Sequence, residues 1–193
     1  MKKIFLLGLL LLCGICFADE EKFVVAKPGA TLELYTASLR KVRPDTAPIA
    51  VVVDFGKQFC HDNITLIKEV AKYRQQLLFK VWKGYVTIPA DGDYVVSMSY
   101  NRYDKWGTMG PNTSNTILEI GGKTIMYITQ LPQKGAPPQI AATEGLRLSE
   151  GSYEFKIIHR SGFKNDIFTL KMWNKKSPLK KTIITPADMA YVE

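Results

Sequence analysis

The stretch Leu77–Tyr100, LLFKVWKGYVTIPADGDYVVSMSY, restricts the possible folds of this chain more than any other. Phe79, Val81 and Tyr85 alternate with Trp82, Val86 and Ile88 at a two-residue period, which describes a strand with two apolar faces; a β-bulge is expected at Lys83-Gly84. Pro89 has no N–H to give a ladder and ends the run, and Asp91-Gly92 is expected to supply the positive φ of a hairpin turn. Tyr94, Val96, Met98 and Tyr100 then alternate with Val95, Ser97 and Ser99. Two strands cannot be stable alone, so the pattern predicts a hairpin packed on a second sheet.

The flanking sequence extends this reading. Thr31–Ala37 has Leu32 and Leu34 alternating with Glu33 and Tyr35, a strand. The apolar run Ile49–Phe55, broken only by Asp54, suits a strand buried on both faces. His61-Asp62-Asn63 can cap a short helix reaching to about Gln76, with Ile64, Ile67 and Val70 at helical spacing. Thr116–Thr129 reads as a hairpin with Gly121-Gly122 as its primed turn. Leu146–Leu148 and Tyr153–His159 flank Glu150-Gly151 as a third hairpin, with Tyr153, Phe155 and Ile157 facing inward. Ile167–Trp173 and Thr182–Thr185 complete the set. The expected class is all-β, an antiparallel sandwich or barrel with at most one or two short helices.

Lys2-Lys3, the apolar run Ile4–Phe17 and Cys16-x-Ala18 before Asp19-Glu20-Glu21 form a secretory leader, residues 1–18, too short in its apolar part to span a bilayer comfortably. Leu12 before Cys13 and Ile15 before Cys16 are not the small residues that lipidation requires. Removing 18 of the 193 residues leaves 175, which suits one domain. Within it, residues 19–76 supply N-terminal strands and the short helix, and residues 77–193 the core barrel. The leader carries two lysines and no acid, so the net charge of +8 falls to +6. That balance suits solubility, and equally an anionic glycan, a cell envelope or a membrane surface. Nucleic acid is not expected, because no basic helix is visible. Cys60 is the one cysteine beyond the leader, so no internal disulfide is expected in an oxidising compartment; it is either buried and inert or open to an intermolecular bridge.

Few residues suggest chemistry. Asn101–Asn115, NRYDKWGTMGPNTSN, is the most unusual loop. Trp106 and Tyr103 can serve as plates for the apolar face of a sugar, with Asp104, Asn112 and Asn115 as hydroxyl partners. The bland alternative folds Trp106 back over the core. Asn165 and Asp166 can lie at the same end, or serve as ordinary turn residues. Asp91 and Asp93 flank Gly92 and are explained by turn chemistry. Cys60-His61-Asp62 holds three catalytic residue types, yet adjacent residues do not face one another. Ser38-x-x-Lys41 lacks the companion motifs of that nucleophile. His159 reads as a satisfied core or edge histidine. No paired-His spacing, phosphate loop or nucleophile elbow occurs, and no enzyme is expected.

The order of motifs is similar to that of the protective-antigen-like (PA-fourteen) β-barrel domain family, related to adhesin and GLEYA-type carbohydrate-binding modules. FKVWKGYVTIPADGDYVVSMS resembles its strand–turn–strand signature, with Trp82, Gly84, Tyr85, Pro89, Gly92 and Tyr94 in the characteristic places. ILEIGGKTI, LRLSEGSYEFKIIHR, FTLKMW and IITPADMAYV resemble the segments that follow, in family order from about Phe79 to Val192. The resemblance implies a binding module, often for carbohydrate. In the sugar-binding adhesins of that family two adjacent aspartates hold a calcium ion. Here the corresponding place reads Asn101-Arg102-Tyr103-Asp104, and Arg102 opposes a cation, so no cofactor is expected by that route and calcium is left open. The expected function is a secreted or periplasmic non-catalytic module for a glycan or envelope polymer, placed in the periplasm, at the cell surface or outside the cell. The alternative is a structural or protein-interaction subunit of an envelope assembly.

Overall fold

The alternating stretch becomes two eleven-residue strands, Leu78–Ile88 and Gly92–Arg102, but the two do not pair with each other. In the computed structural model of the chain, which describes residues 26–38, 41–60, 77–102, 115–128, 139–161 and 166–192, they lie in different sheets. The strands are β1 (Lys27–Pro28), β2 (Ala30–Thr36), β3 (Ala50–Asp54), β4 (Phe59–Cys60), β5 (Leu78–Ile88), β6 (Gly92–Arg102) and β7 (Asn115–Ile120). After them come β8 (Lys123–Ile128), β9 (Gln139–Ala142), β10 (Leu146–Leu148), β11 (Gly151–Ser161), β12 (Asp166–Asn174), β13 (Thr182–Ile184) and β14 (Ala190–Tyr191). A 3-10 turn at Pro186–Asp188 is the one helical element among the described residues. The leader and the helix expected over 61–76 lie outside the described residues, and none of the described helices is long and apolar enough to cross a membrane.

An eight-stranded sheet runs β3-β2-β5-β11-β7-β8, with β14 and β1 added beside β2 on the edge of β5. A six-stranded sheet is centred on β6 and β12, with β10 and β9 on one side and β13 and β4 on the other. All registered pairs are antiparallel, for example Leu78↔Ser161 through Ile88↔Gly151 between β5 and β11. The expected hairpin is therefore an arch, because both edges of β5 are occupied, by β11 on one side and by β2 and then β14 on the other. The alternating pattern is identical for a hairpin and an arch; only the sheet partners distinguish them. Tyr94 closes the corner, its hydroxyl donating to the Ala90 carbonyl at 2.8 Å.

Other expectations change for related reasons. No bulge occurs at Lys83-Gly84, since the β5–β11 register is continuous through both; the irregularity falls between Leu118 and Glu119. Lys83 continues the Phe79 face where that face meets solvent, so no slip was needed. Gly92 is not at positive φ. A Cβ there would stand 2.2 Å from Asn174 Nδ2, so the glycine lets the Asn174 side chain lie close over the strand, and a larger residue would have to displace that amide. Gly121 and Gly122, at φ 56° and 75°, do form the primed turn. The third expected hairpin is also a crossing, with β10 on β6 and β11 on β5 and β7. Finally β3 is an edge strand rather than one buried on both faces: Val51 and Phe55 are exposed, while Asp54 is buried.

Between the sheets lies the main core, with Leu32, Leu34, Trp82, Val86 and Ile88 meeting Val96, Met98, Phe168, Leu170 and Met172. At its centre Trp82 stands edge-on to Phe59 and Phe168, whose rings stack at 5.0 Å. Trp82 Nε1 donates to Asp54 Oδ2 at 2.8 Å, and Gly56 N donates to Asp54 Oδ1 at 2.7 Å. A second cluster, Tyr35, Phe79, Val81, Ile117 and Ile158, forms on the outer face of the larger sheet. The connection from β2 to β3 is tied to that face. Arg160 Nη1 donates to the Ser38 carbonyl at 3.0 Å and to that of Lys41, and Arg43 binds Glu119 and, at 2.9 Å, Thr124 Oγ1.

Candidate functional site at the loop-bearing end

The two ends of the sandwich differ. At one end the chain turns within 89–91, 121–122 and 149–150, and over 175–181. At the other end lie Cys60, Leu78, Arg102, Asn115, Ile128, Gln139, Ser161 and Asp166. The register places them together: Leu78↔Ser161, Arg160↔Asn115, Thr116↔Ile128, Arg102↔Asp166, Tyr100↔Gln139 and Ile167↔Cys60. The connections 61–77, 103–114, 129–138 and 162–165 therefore all start and finish at this end. Such an end, with a rigid sandwich beneath several connections, is where a fold of this kind presents a variable surface.

Of the residues singled out in sequence, Tyr103, Asp104, Trp106, Asn112 and Asn165 lie outside the described residues. Asp166 opens β12 directly opposite Arg102, so the chain enters 103–114 beside the point where it leaves 162–165. Asn115 opens β7 and is buried, its Nδ2 donating to the Val42 carbonyl at 3.4 Å. Asn115 Oδ1 is enclosed without a partner among the described residues. Its contact is thus with the β2–β3 connection.

Beneath this end runs a buried polar row of which the sequence reading gave only His159, as a core or edge histidine. Lys80, His159 and Thr116 are successive cross-strand neighbours on the inner faces of β5, β11 and β7, each at most 1% exposed. Thr116 Oγ1 lies 2.8 Å from His159 Nδ1, and the imidazole is 5.6 Å from the Phe168 ring. The signal was present in sequence: the two-residue period that turns Trp82 inward turns Lys80 inward as well.

Elsewhere the charged groups serve architecture. Burial pulls the Arg160 guanidinium below its ordinary value. Burial first, then the hydrogen bond to Glu33 and its charge, hold the Tyr35 phenol above the ordinary range, while Glu33 also pairs with Lys83 at 2.6 Å. Asp91 Oδ1 accepts from Glu150 N at 2.7 Å and Asp93 pairs with Arg147 at 3.6 Å, so both brace the short-turn end. Ser38 and Lys41 close a backbone turn, Lys41 N to Ser38 O at 3.2 Å. Among the described residues no cluster of His, Cys, Asp and Glu could hold a metal ion.

These features define a two-sheet antiparallel β-sandwich with its longer connections gathered at one end. No family model and no curated protein matches the sequence. The PA14 domain of the MpAFP antifreeze protein has the same architecture, with a TM-score of 0.55 at 11% identity over 89% of this chain and 95% of that one. The A domain of epithelial adhesin 9 from Candida glabrata, in complex with Galb1-3GlcNAc, matches with a TM-score of 0.50 at 10% identity, over 87% and 91%. A β-glucosidase from Kluyveromyces marxianus matches at 0.53 with 14% identity, over 76% of this chain, which spans 16% of the enzyme's length. The fold is that of the PA14 domain, in keeping with the order of motifs in the sequence.

Proposed function

We propose that this chain is an exported, non-catalytic binding module that holds a glycan or a cell-envelope polymer at its loop-bearing end. The observation that carries the reading is the convergence of strand ends there, with Asp166 in register beside Arg102. In this reading Trp106 and Tyr103 offer ring faces to a pyranose, while Asp104, Asn112, Asn165 and Asp166 take its hydroxyls. Asn115, holding the Val42 carbonyl, fixes the root of the loop. The reading draws support from the adhesin of the same fold, whose complex contains Galb1-3GlcNAc. Catalysis has no comparable support, because the glucosidase likeness spans only 16% of that enzyme. Calcium has no argued part in the site, since Arg102 stands where the family's paired aspartates would be.

A glycan array probed with wild type and Trp106→Ala tests the proposal. The expected result is retention of one glycan class by wild type and a loss of about tenfold or more in the variant, the worth of one buried ring contact. Binding that is absent from wild type, or unchanged in the variant, refutes it.

A further inference from the structure

The short-turn end carries a second surface. β12 and β13 are joined by Lys175–Lys181, KKSPLKK, in which Lys175, Lys176, Lys180 and Lys181 are all exposed and no acid occurs. The loop is built rather than loose. Lys175 N donates to the Asp93 carbonyl at 2.8 Å, Lys176 N to Asn174 Oδ1 at 2.9 Å, Ser177 N to the Asn174 carbonyl at 2.9 Å and Lys180 N to the Ser177 carbonyl at 3.0 Å. These successive turns hold Leu179 out at the tip, 97% exposed. Ile183 is 53% exposed on the neighbouring strand, paired in register with Lys171, and Lys181 Nζ lies 4.7 Å from the centre of the Trp173 ring.

We propose that this loop docks the protein on an anionic phospholipid surface, its lysines at the phosphate level and Leu179 entering the acyl boundary. Charge complementarity chooses an anionic partner. The apolar tip chooses lipid over a soluble polyanion, which would engage the lysines and leave Leu179 in water. Trp173 adds an interfacial aromatic whose ring already carries Lys181, so it is not a free plate for a sugar. Of the acids of this end, Asp91, Glu144 and Glu150 sit on the neighbouring turns, and Asp93, on β6, is matched by Arg147. The cationic excess therefore belongs to the β12–β13 loop itself. Docking there directs the opposite end away from the membrane by the length of β12, nine residues or about 30 Å.

Sedimentation with vesicles tests this, using the exported protein collected after secretion, with far-ultraviolet circular dichroism confirming the fold of each variant. Wild type is expected to bind phosphatidylglycerol-containing vesicles, to release at high salt, and to ignore pure phosphatidylcholine. Lys176→Gln with Lys180→Gln should weaken binding about thirtyfold, from roughly fivefold per lysine. The same charge removed from connections that begin at the opposite end, Lys41→Gln with Lys134→Gln, should change it no more than about threefold, because that end is held more than a screening length from the surface. Leu179→Ser should weaken binding about tenfold with an unchanged salt dependence. No binding to anionic vesicles, equal losses in the two lysine pairs, or indifference to Leu179→Ser each overturns the proposal. The last outcome identifies charge-only adhesion to any polyanion.

Discussion

Asp54→Ala removes the acceptor of two hydrogen bonds at once, and its cost follows from the different surroundings of their donors. Trp82 is fully buried, so its Nε1–H loses Asp54 Oδ2 at 2.8 Å with no access to water. A stranded buried donor costs about 1–3 kcal/mol, toward the upper part where the lost partner was a carboxylate. Gly56 is only partly buried, so its N–H can turn to solvent, and the loss there is about 0.5–1 kcal/mol. The expected destabilisation is about 3 kcal/mol, a large share of the stability of any single domain. Trp82→Phe keeps the ring between Phe59 and Phe168 but deletes the donor, so in that background Asp54→Ala should cost about 1–2 kcal/mol less. Equilibrium urea unfolding of the four proteins, followed by far-ultraviolet circular dichroism, measures this coupling. Additive losses, or a single-mutant loss below about 0.5 kcal/mol, would show that Asp54 is not the partner holding the indole, and the account of the core centre would be wrong.

Three further outcomes follow from the structure. Arg160→Met should cost about 2 kcal/mol by releasing the Ser38 and Lys41 carbonyls, and amide exchange should quicken over 41–49 while the core strands stay protected. Gly84→Ala should cost about 1–3 kcal/mol, because the added Cβ meets the Ala190 carbonyl and Met189 Cβ at 3.0 Å where β14 takes over from β2; Tyr191 and Ala190 amides should lose protection first. Tyr35 gives a pH dependence: its folded phenol holds its proton above the value of the unfolded chain, so its contribution is complete below about pH 10 and falls as pH rises beyond it. Tyr35→Phe should flatten that alkaline decline in chemical-denaturation midpoints, and an unaltered slope would exclude Tyr35 as its source.

Much of the strand set was legible because a period of two is fixed by backbone geometry whatever the strand pairs with. For the same reason the partners were not legible. Residues 78–88 and 92–102 read alike as a hairpin and as an arch, and only the occupation of both β5 edges decides between them. Polar residues inside apolar runs misled in a consistent way: Asp54 looked like the flaw in a buried strand and is its buried member, held by an indole and a backbone N–H. Lys80 was overlooked beside Trp82 although the period assigns both to one face. Of the proposed binding residues, the structure shows where Asp166 and Asn115 enter their strands; composition alone singles out Trp106, since no pattern of alternation applies to 103–114.

The arches also explain why the two ends carry different chemistry. The arch corners are crowded by their own neighbours: a Cβ on Gly92 would have to displace the Asn174 side chain of the adjacent β12, Tyr94 is committed to the Ala90 carbonyl, and Asp91 to Glu150 N. Substitution at these corners is therefore registered as lost stability. The β12–β13 loop escapes this constraint because it joins paired neighbours at the edge of one sheet, and it is there that lysines and an exposed leucine accumulate. At the opposite end the strands are anchored in register below the connections by Arg102↔Asp166 and Arg160↔Asn115. Changing 103–114 should then alter binding with little effect on the urea midpoint. A Trp106→Ala variant whose midpoint falls as far as that of Asp54→Ala would mean that the indole belongs to the core, and the binding role argued for that loop would fall with it.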